Sequence, residues 1–450
     1  MASKKLIINL NSKLPKFNKT IHCDSDKSIS IRSFIIGAIS NGISTVSNAL
    51  ESEDVLASIN CLRKLGVIIK KKKIGTYEVY GKGLGSLYCK KKTILNCENS
   101  GTLSRLLIGC CATNPNLDII VKGDSSLNKR SMKELIVLME SFGATFYPKN
   151  KNYFPLRLIS SEIPLGISYK ANESAQLKSS CILSALNSYG NSKIIIDKKI
   201  ASSRDHTENM LSSNSKSLKI KDGKKKIITI FGKKNLDSFK INVPNDPSSA
   251  AFFTALTILN KNSKLKIKNV GLNKTRIGFY ELLKKHNAKI NFKNLRTRNG
   301  EKIGDIYIQS SKLKPIKANR QFYPKTTDEY LILSCCAALT KGMSVFEGIG
   351  PLANKESSRA HEMKKILKQV GIKCIVTKDK MKIYGSSKIK SKGRKIILKN
   401  IKDHRLFMSS FVLSLITGIK AKLFGFETVF TSSPNFLKIM KFLGARYEKN

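Results

Sequence analysis

Apolar and polar residues alternate along the chain in patterns that predict a mixed α/β protein. Short β-rich runs such as "LDIIVK" are followed by loops and by amphipathic stretches such as "SMKELIVLMESFG". The first kind has the period of a strand with one buried face, and the second has the period of a helix. A third kind, such as "GTLSRLLIGCCAT" or "SSAAFFTALTIL", is almost wholly apolar or small. It predicts a helix that is buried on all sides.

One pattern of strand, loop, amphipathic helix and strand recurs along the whole sequence. Its copies begin at Gly42, Asn116, Gly190, Asn262, Gly342 and Ile419. Successive starts lie 74, 74, 72, 80 and 77 residues apart, and an apolar helical stretch lies between copies. The complete unit is therefore strand–helix–strand–helix–strand. It is too long for a solenoid repeat and too short for a domain, so we predict two similar domains of three units each.

The chain is long enough for more than one core. Its 450 residues exceed what a single hydrophobic core commonly holds together. The stretch "INVPNDPSSAAF" (241–252) is rich in proline and lies between a predicted strand and a predicted buried helix. We expect a domain boundary there.

The net charge of +51 admits two interpretations. Nucleic-acid binding is the first, because a basic surface attracts polyanions. Compositional drift is the second, because Lys, Ile, Asn and Ser are all abundant and the lysines are spread over the whole chain. There is no Trp and no stretch of interleaved aromatic and basic residues that would stack on bases. We favour drift, with a secondary benefit for binding small anions.

Cysteine usage and hydropathy predict a cytoplasmic protein. The ten cysteines are scattered without a CxxC motif and lie mostly in apolar text, as expected of small core residues in a reduced protein. The five histidines form no motif with metal-ligand spacing. No apolar run is long enough to span a membrane, and the start "MASKKLIINLNSKLPKF" lacks the apolar region of a signal peptide.

Basic residues gather at the starts of the predicted buried helices and in the loops of the repeats. They are Lys27, Arg32, Arg105, Arg130, Arg204, Lys355, Arg359 and Arg405. A helix N-terminus already carries positive partial charge, so cations there are unfavourable unless an anion neutralises them. A single such residue is commonly a solvated surface charge. Its recurrence across the repeats predicts a small ligand with phosphate and carboxylate groups.

Two further motifs carry charged side chains near helix starts. In "TTDEY" (326–330), the residues alone favour a structural role, with Thr327 or Asp328 capping the helix and Glu329 complementing its dipole. In "NKESSR" (354–359), the spacing predicts one helical turn with Lys355 and Arg359 on the same face. Two like charges on one face again point to a bound anion.

Ten motifs in order make the chain recognisable over nearly its whole length. They are "DKSISIR", "NSGTLSR", "GDSSLNKR", "SAQLK", "SRDHTE", "NDPSSAAFF", "TTDEYLIL", "NKESSR", "DHR" and "TSSPNF". With them the chain resembles the EPSP synthase family, the 3-phosphoshikimate 1-carboxyvinyltransferases. The resemblance implies the two-domain enolpyruvyl transferase fold, an inside-out α/β barrel with six βαβαββ repeats, three in each domain.

The resemblance also implies how the chain is divided. Residues 25–244 are expected to form the domain that binds shikimate 3-phosphate. Residues 1–24 and 245–450 are expected to form the second domain, which supplies the acid and base. A two-stranded hinge is expected near residues 20–27 and 240–248.

The reaction implied by the resemblance transfers the carboxyvinyl group of phosphoenolpyruvate to the 5-hydroxyl of shikimate 3-phosphate. It proceeds by addition and then elimination of phosphate, and it needs no metal or organic cofactor. Holding two polyanions together is mainly a matter of positioning and electrostatics. The expected partners are these two small molecules, with no nucleic acid and no membrane, and the expected state is a monomer.

Site residues follow from the resemblance, motif by motif. The catalytic residues are expected to be Asp328, Lys355, Glu356 and Lys27. Shikimate 3-phosphate is expected to contact Lys27, Ser28, Arg32, Ser174, Ala175, Gln176, Arg204, Asp328 and Lys355. Phosphoenolpyruvate is expected to contact Lys27, Asn99, Gly101, Arg130, Gln176, Arg359 and Arg405. No metal ligands are implied. For Asp328, the resemblance replaces the capping role with a catalytic one.

Two alternative functions remain to be weighed. The first is the related transferase that acts on a UDP-sugar, UDP-N-acetylglucosamine enolpyruvyl transferase. That enzyme uses a cysteine in the loop that corresponds to "GDSSLNKR", which contains none. The second is an RNA-binding or RNA-end-processing protein of a related repeat fold, suggested by the charge. The low aromatic content and the "SAQ" and "RDHTE" motifs argue against it.

Overall fold

The computed structural model describes residues 6–171, 173–197 and 203–450, so part of the third repeat copy lies outside the described residues. The chain divides into two compact units. Unit 1 comprises the chain up to Asp24 together with Pro244–Arg296 and Lys302–Asn450. Unit 2 comprises Ser25–Val243 and Thr297–Glu301.

Strands alternate with helices along both units. The strands are β1 (Ile7–Leu10), β2 (Asn18–Ile21), β3 (Asn41–Ser47), β4 (Ile68–Lys73), β5 (Thr76–Lys82), β6 (Thr93–Asn96), β7 (Asp118–Lys122), β8 (Thr145–Tyr147), β9 (Leu156–Ile159), β10 (Ser168–Lys170), β11 (Asn191–Asp197), β12 (Leu218–Asp222), β13 (Lys225–Phe231), β14 (Lys240–Asn242), β15 (Lys264–Gly271), β16 (Lys289–Arg298), β17 (Glu301–Gln309), β18 (Lys317–Ala318), β19 (Gly342–Glu347), β20 (Lys373–Val376), β21 (Lys380–Gly385), β22 (Lys395–Leu398), β23 (Lys420–Phe424) and β24 (Glu448–Lys449).

The helices are α1 (Lys27–Ala38), α2 (Glu53–Lys64), α3 (Gly101–Ala112), α4 (Lys133–Glu140), α5 (Ala175–Leu186), α6 (His206–Asn214), α7 (Pro247–Leu259), α8 (Gly278–Lys285), α9 (Tyr323–Thr326), α10 (Tyr330–Ala338), α11 (Arg359–Gln369), α12 (His404–Thr417) and α13 (Phe436–Phe442). Short 3₁₀ turns cover Leu127–Lys129, Arg320–Phe322, Gly350–Asn354 and Phe426–Thr431. In the part of the chain that the structure describes, no helix has the length and apolar character needed to cross a bilayer.

Six four-stranded sheets are formed by the described residues, three in each unit. Unit 2 holds the sheets β14-β3-β5-β4, β6-β7-β9-β8 and β10-β11-β13-β12, and unit 1 holds β18-β19-β21-β20, β22-β23-β1-β24 and β2-β15-β17-β16. In the sheet β6-β7-β9-β8, the first pair is parallel and the next two pairs are antiparallel. A parallel pair needs a helical crossover, which α3 supplies. The predicted sixfold βαβαββ repeat is therefore confirmed.

Two repeats exchange their first strands where the chain passes between the units. β2 precedes α1 in sequence, but it pairs in parallel with β15 of unit 1. β14 precedes α7, but it pairs in parallel with β3 of unit 2. Each of these repeats is therefore completed by a strand that is distant in sequence.

The all-apolar stretches form helices that are buried along nearly their whole length, as predicted. They are α1, α3 and α5 in unit 2, and α7, α10 and α12 in unit 1. Several serine side chains can lie within them because their hydroxyls donate to a backbone carbonyl one turn earlier. Ser30 Oγ donates to Asp26 O at 2.8 Å, and Ser33 Oγ donates to Ile29 O at 2.9 Å.

Helices α3 and α5 approach each other at backbone distance in unit 2. Gly109 of α3 faces Ser180 of α5, and the Ser184 hydroxyl donates to Gly109 O at 2.6 Å. A Cβ atom at position 109 would lie 2.7 Å from both Cα and O of Ser180. Only glycine lets these two backbones approach so closely.

We therefore expect Gly109→Ala to destabilise the protein, because its methyl group would force α3 and α5 apart. The expected loss is about 1–3 kcal/mol in the free energy of unfolding, the usual cost of overpacking a core. Urea denaturation measures it. Gly223→Ala is the matched control, because a Cβ there would meet only Lys225 O at 3.9 Å. Equal stability of the two variants would contradict the packing described here.

Candidate active site

The buried helices of unit 2 begin close together. The Gln176 side chain, in the first turn of α5, donates from Nε2 to Thr102 Oγ1 in the first turn of α3 at 3.1 Å. Arg32, in the second turn of α1, donates from Nη2 to Ser179 Oγ in the second turn of α5 at 3.2 Å. The three N-terminal ends therefore meet on one side of unit 2. Their free N–H groups and positive dipole ends favour anions there.

The start of α1 explains how a cation is tolerated at a helix N-terminus. Asp26 is the N-cap and accepts from Ile29 N at 2.8 Å. Lys27 Nζ lies 2.8 Å from Asp54 Oδ2 in the first turn of α2. The carboxylate thus compensates the lysine, while about a fifth of the Lys27 side chain (19 %) stays exposed.

Arg32 is buried and held by three neighbouring groups. Its Nε donates to Thr207 Oγ1 at 2.8 Å, and its Nη1 donates to Ser28 O at 2.9 Å. The Thr207 hydroxyl in turn donates to Ser179 Oγ at 2.8 Å. The predicted site residues Ser28 and Arg32 are therefore in direct contact.

A second basic group surrounds the start of α3. Arg130 Nη2 donates to Asn99 Oδ1 at 3.0 Å, and Asn99 Nδ2 donates to Asp124 Oδ2 at 2.8 Å. A Cβ atom at Gly101 would lie 2.9 Å from Arg105 Nη1 and 3.1 Å from Arg130 Nη1. The structure therefore brings Asn99, Gly101 and Arg130 together.

The start of α5 lies beside these groups. Ser174 is its N-cap and accepts from Leu177 N at 3.3 Å, and Ala175 is its first residue. Gln176 reaches α3 through the contact with Thr102. Arg204 lies two residues before α6, half-buried.

Unit 1 repeats this geometry with its own three buried helices. The hydroxyl of Ser248, in the first turn of α7, donates to the carboxylate of Glu329, just before α10. Arg405 Nη1, in the first turn of α12, donates to Asp328 O at 3.1 Å. The N-terminal ends of α7, α10 and α12 therefore also meet.

Arg359 lies at the centre of a carboxylate cluster in unit 1. Its Nε donates to Asp403 Oδ2 at 2.9 Å, its Nη2 donates to Glu356 Oε2 at 2.6 Å, and its Nη1 lies 3.5 Å from Asp328 Oδ1. Burial by itself lowers the pKa of a guanidinium, but Asp403, Glu356 and Asp328 outweigh it and raise the pKa of Arg359 overall. The cluster thus holds a permanent cation beside three acids.

Asp328 is shared between two guanidiniums. Besides its contact with Arg359, its Oδ2 lies 3.6 Å from Arg405 Nη2. Asp328 precedes Glu329, the N-cap of α10, so the interpretation of Asp328 as the helix cap is wrong. Its carboxylate instead faces the cluster, with 18 % of the side chain exposed.

The predicted helical turn over "NKESSR" is also wrong. α11 begins only at Arg359, and residues 355–357 form a bend. Lys355 and Arg359 therefore do not share a helix face. Like-charge repulsion along a helix is no argument for an anion there. Lys355 and Glu356 are both half-buried beside the start of α11.

A buried carboxylate network adjoins the start of α7 in unit 1. Asp246 caps α7 and accepts from Arg276 Nη2 at 2.9 Å. Asp24 accepts from Ser433 Oγ at 2.5 Å and from Asn435 Nδ2 at 2.7 Å. Burial raises the pKa of Asp24 above its usual range, although these hydrogen bonds oppose the shift.

Several residues that complete these arrangements were not assigned a role from the sequence. Asp54 pairs with Lys27, Thr207 holds Arg32, and Asp403 holds Arg359. Thr207 and Asp403 lie in the motifs "SRDHTE" and "DHR", and their place in these motifs is the sequence feature that could have indicated a role. Asp54 lies outside every quoted motif, and only the fold brings it to Lys27.

The arrangement has the charges that anion binding and proton transfer require. Unit 2 gathers cations and three helix N-termini, and unit 1 gathers two guanidiniums with three carboxylates. Among residues 6–171, 173–197 and 203–450, no group of three or more His, Cys, Asp and Glu could hold a metal ion.

Comparisons with known proteins point to one family. The sequence model described as EPSP synthase (3-phosphoshikimate 1-carboxyvinyltransferase) matches residues 12–440. A 3-phosphoshikimate 1-carboxyvinyltransferase of Caldicellulosiruptor bescii is 35% identical over 430 residues, which cover 94% of this chain and 96% of that protein. One of Zymomonas mobilis is 34% identical over 98% of this chain and 97% of its own length. The structure of EPSP synthase from Acinetobacter baumannii superposes with a TM-score of 0.85 at 33% identity, covering 99% of this chain and 100% of that one.

We expect Asp403→Asn to destabilise the protein strongly. Asparagine can still cap α12, where Asp403 Oδ1 accepts from Arg405 N at 3.0 Å. It removes, however, the negative charge that pairs with the buried guanidinium of Arg359. Weakening a fully buried ion pair in this way should cost about 3 kcal/mol of unfolding free energy. Denaturant unfolding measures the loss.

Glu362→Gln is the matched control for this experiment. It breaks the ion pair of Glu362 with Lys365 on α11, where 69 % of the lysine side chain is exposed. A surface pair contributes at most about 1 kcal/mol. If Asp403→Asn cost no more than this control, Arg359 would not depend on the carboxylate of Asp403.

Proposed function

Since the chain belongs to the EPSP synthase family, we propose that it transfers the carboxyvinyl group of phosphoenolpyruvate to the 5-hydroxyl of shikimate 3-phosphate. The products are 5-enolpyruvylshikimate 3-phosphate and phosphate, in the shikimate pathway of aromatic amino acid biosynthesis. The observation that carries the proposal is the family match over residues 12–440. The fold is the two-domain enolpyruvyl transferase fold, as expected.

Shikimate 3-phosphate is proposed to bind the helix starts of unit 2. Arg32 and Ser28 would hold its carboxylate, and their direct contact supports a joint role. The N-terminal end of α5, with Ser174, Ala175 and Gln176, would hold its phosphate. Arg204 would add positive charge there. The family resemblance adds Asp328 and Lys355 to these contacts.

Phosphoenolpyruvate is proposed to bind through two groups of residues. The first group is Asn99, Gly101, Arg130 and Gln176, and the second is Arg359 and Arg405. The closeness of Gly101 to the Arg130 guanidinium supports this grouping, since backbone and cation would meet one anion together. Lys27 would contact both substrates, and its partial exposure leaves its ammonium accessible.

Proton transfer is proposed to rest on unit 1. In the addition step, Asp328 would accept the proton of the 5-hydroxyl. The oxygen of that hydroxyl would bond to carbon 2 of phosphoenolpyruvate, and carbon 3 would gain a proton. In the elimination step, carbon 3 would lose a proton and the phosphate would leave. Lys355 and Glu356 would take part in proton transfer to and from carbon 3, and Lys27 would assist catalysis. Two guanidiniums beside Asp328 support its role by orienting its carboxylate.

The remaining expectations are proposals of the same kind. We propose a monomer in the cytoplasm that needs no nucleic acid. The cysteines support a reducing compartment, since none of those that the structure describes forms a disulfide and all but the half-buried Cys89 are buried. The UDP-sugar transferase is disfavoured, because the loop over residues 123–130 has no cysteine nucleophile.

The decisive measurement is phosphate release from phosphoenolpyruvate, with and without shikimate 3-phosphate. We expect release only when both substrates are present. Asp328→Ala should lower kcat by about 10²–10⁴-fold, the usual contribution of a general base. Asp379→Ala is the control, because Asp379 forms an exposed ion pair with Arg320 elsewhere in unit 1. Phosphate release that is independent of shikimate 3-phosphate would refute the proposed function.

We also expect Gly101→Ala to weaken phosphoenolpyruvate binding. The added methyl would press on Arg105 Nη1 and Arg130 Nη1, at 2.9 Å and 3.1 Å. Displacing one charged hydrogen-bond donor should raise KM for phosphoenolpyruvate by about tenfold or more. KM for shikimate 3-phosphate should change less. Steady-state kinetics against Gly223→Ala would test this, and an unchanged KM for phosphoenolpyruvate would place Gly101 away from that substrate.

A further inference from the structure

The first three residues of α6 are buried and connect it to its surroundings in unit 2. His206, Thr207 and Glu208 are 2 %, 0 % and 1 % exposed. His206 Nδ1 lies 2.7 Å from Glu301 Oε1, while Thr207 and Glu208 face the buried helices. No substrate contact is assigned to any of these three residues.

The hydroxyl of Thr207 accepts one hydrogen bond and donates another. Its Oγ1 accepts from Arg32 Nε at 2.8 Å and donates to Ser179 Oγ at 2.8 Å. Ser179 Oγ also accepts from Arg32 Nη2 at 3.2 Å. The two hydroxyls therefore meet the Nε–Nη2 edge of the guanidinium, as a carboxylate would. This double contact fixes the plane of the Arg32 head group.

A buried ion pair fixes Thr207 in turn. Glu208 Oε1 lies 2.7 Å from Lys178 Nζ, and both side chains are at most 2 % exposed. Lys178 Nζ also donates to Ser203 O at 3.5 Å, directly before Arg204. Lys178, Ser179, Thr207 and Glu208 thus form one contact group between α5 and α6, which we call the α5–α6 brace.

We propose that Thr207 is the positioning residue that orients Arg32 for the carboxylate of shikimate 3-phosphate, with the α5–α6 brace holding it in place. The proposal rests on the proposed function, since it needs Arg32 to be a substrate ligand. Thr207 acts through Arg32 and touches no reacting atom.

The choice of side chain follows from what Arg32 requires. Neutral hydroxyls satisfy the N–H groups of Arg32 on one edge without neutralising its charge, whereas a carboxylate there would compete with the substrate. A β-branched side chain also has few rotamers, so the Thr207 hydroxyl is fixed in direction. Valine keeps the shape of threonine and removes the hydroxyl.

The test compares Thr207→Val and Thr207→Ser with the wild-type protein. Isothermal titration calorimetry with shikimate 3-phosphate gives Kd, and steady-state kinetics give KM for each substrate. We expect Thr207→Val to raise Kd for shikimate 3-phosphate by about tenfold or more, the factor for one hydrogen bond to a charged group. KM for phosphoenolpyruvate should change by less than about threefold. Thr207→Ser keeps the hydroxyl and should restore most of the affinity.

Thr257→Val is the matched control for the loss of a buried hydroxyl. Thr257 is fully buried in α7, and its Oγ1 donates only to Phe253 O one turn earlier. Urea unfolding of each variant separates a loss of fold from a loss of orientation. We expect Thr207→Val to remain folded and the control to bind shikimate 3-phosphate like the wild type.

Two results would overturn the proposal, and they have different meanings. If folded Thr207→Val bound shikimate 3-phosphate as tightly as the wild type, Thr207 would not orient Arg32 and the proposed function would stand. If the wild-type protein bound no shikimate 3-phosphate, the proposed function would fail, and this inference with it.

Discussion

Three buried helices in each unit begin side by side, and most candidate residues depend on that arrangement. Their apolar surfaces require contact with one another, and a glycine such as Gly109 lets two of them approach at backbone distance. Helices that run in the same direction bring their N-terminal ends together, where unpaired N–H groups and dipoles add up. The same packing that forms the core therefore creates an environment that favours anions.

The two units use this environment in different ways. In unit 2 the cations Lys27, Arg32 and Arg130 surround the helix starts, and their neighbours are a carboxylate, two hydroxyls and an amide. In unit 1 two guanidiniums are interleaved with carboxylates, so that the charge nearly balances. The first arrangement suits holding a polyanion, and the second suits proton exchange.

Cations at helix starts pointed to an anionic ligand, but the structure refines that argument. Lys27 has its own counter-charge in Asp54, and Arg359 has Asp403 and Glu356. These acids keep the folded protein stable when no substrate is bound. A substrate anion would then act on cations that are already oriented, so less of its binding energy goes into ordering them.

The sequence alone determined the repeats, the six buried helices and the motif residues, because hydrophobic period and residue type are local properties. Helical spacing misplaced the start of α11, and before the family motifs were considered it favoured Asp328 as a cap, because spacing does not reveal at which residue a helix begins. Only the tertiary structure decided that Asp54 meets Lys27, that Thr207 meets Arg32 and that Asp403 meets Arg359. These partners are 27, 175 and 44 residues apart in sequence, and no local pattern relates them. Their pairing follows from how the helices of each unit pack.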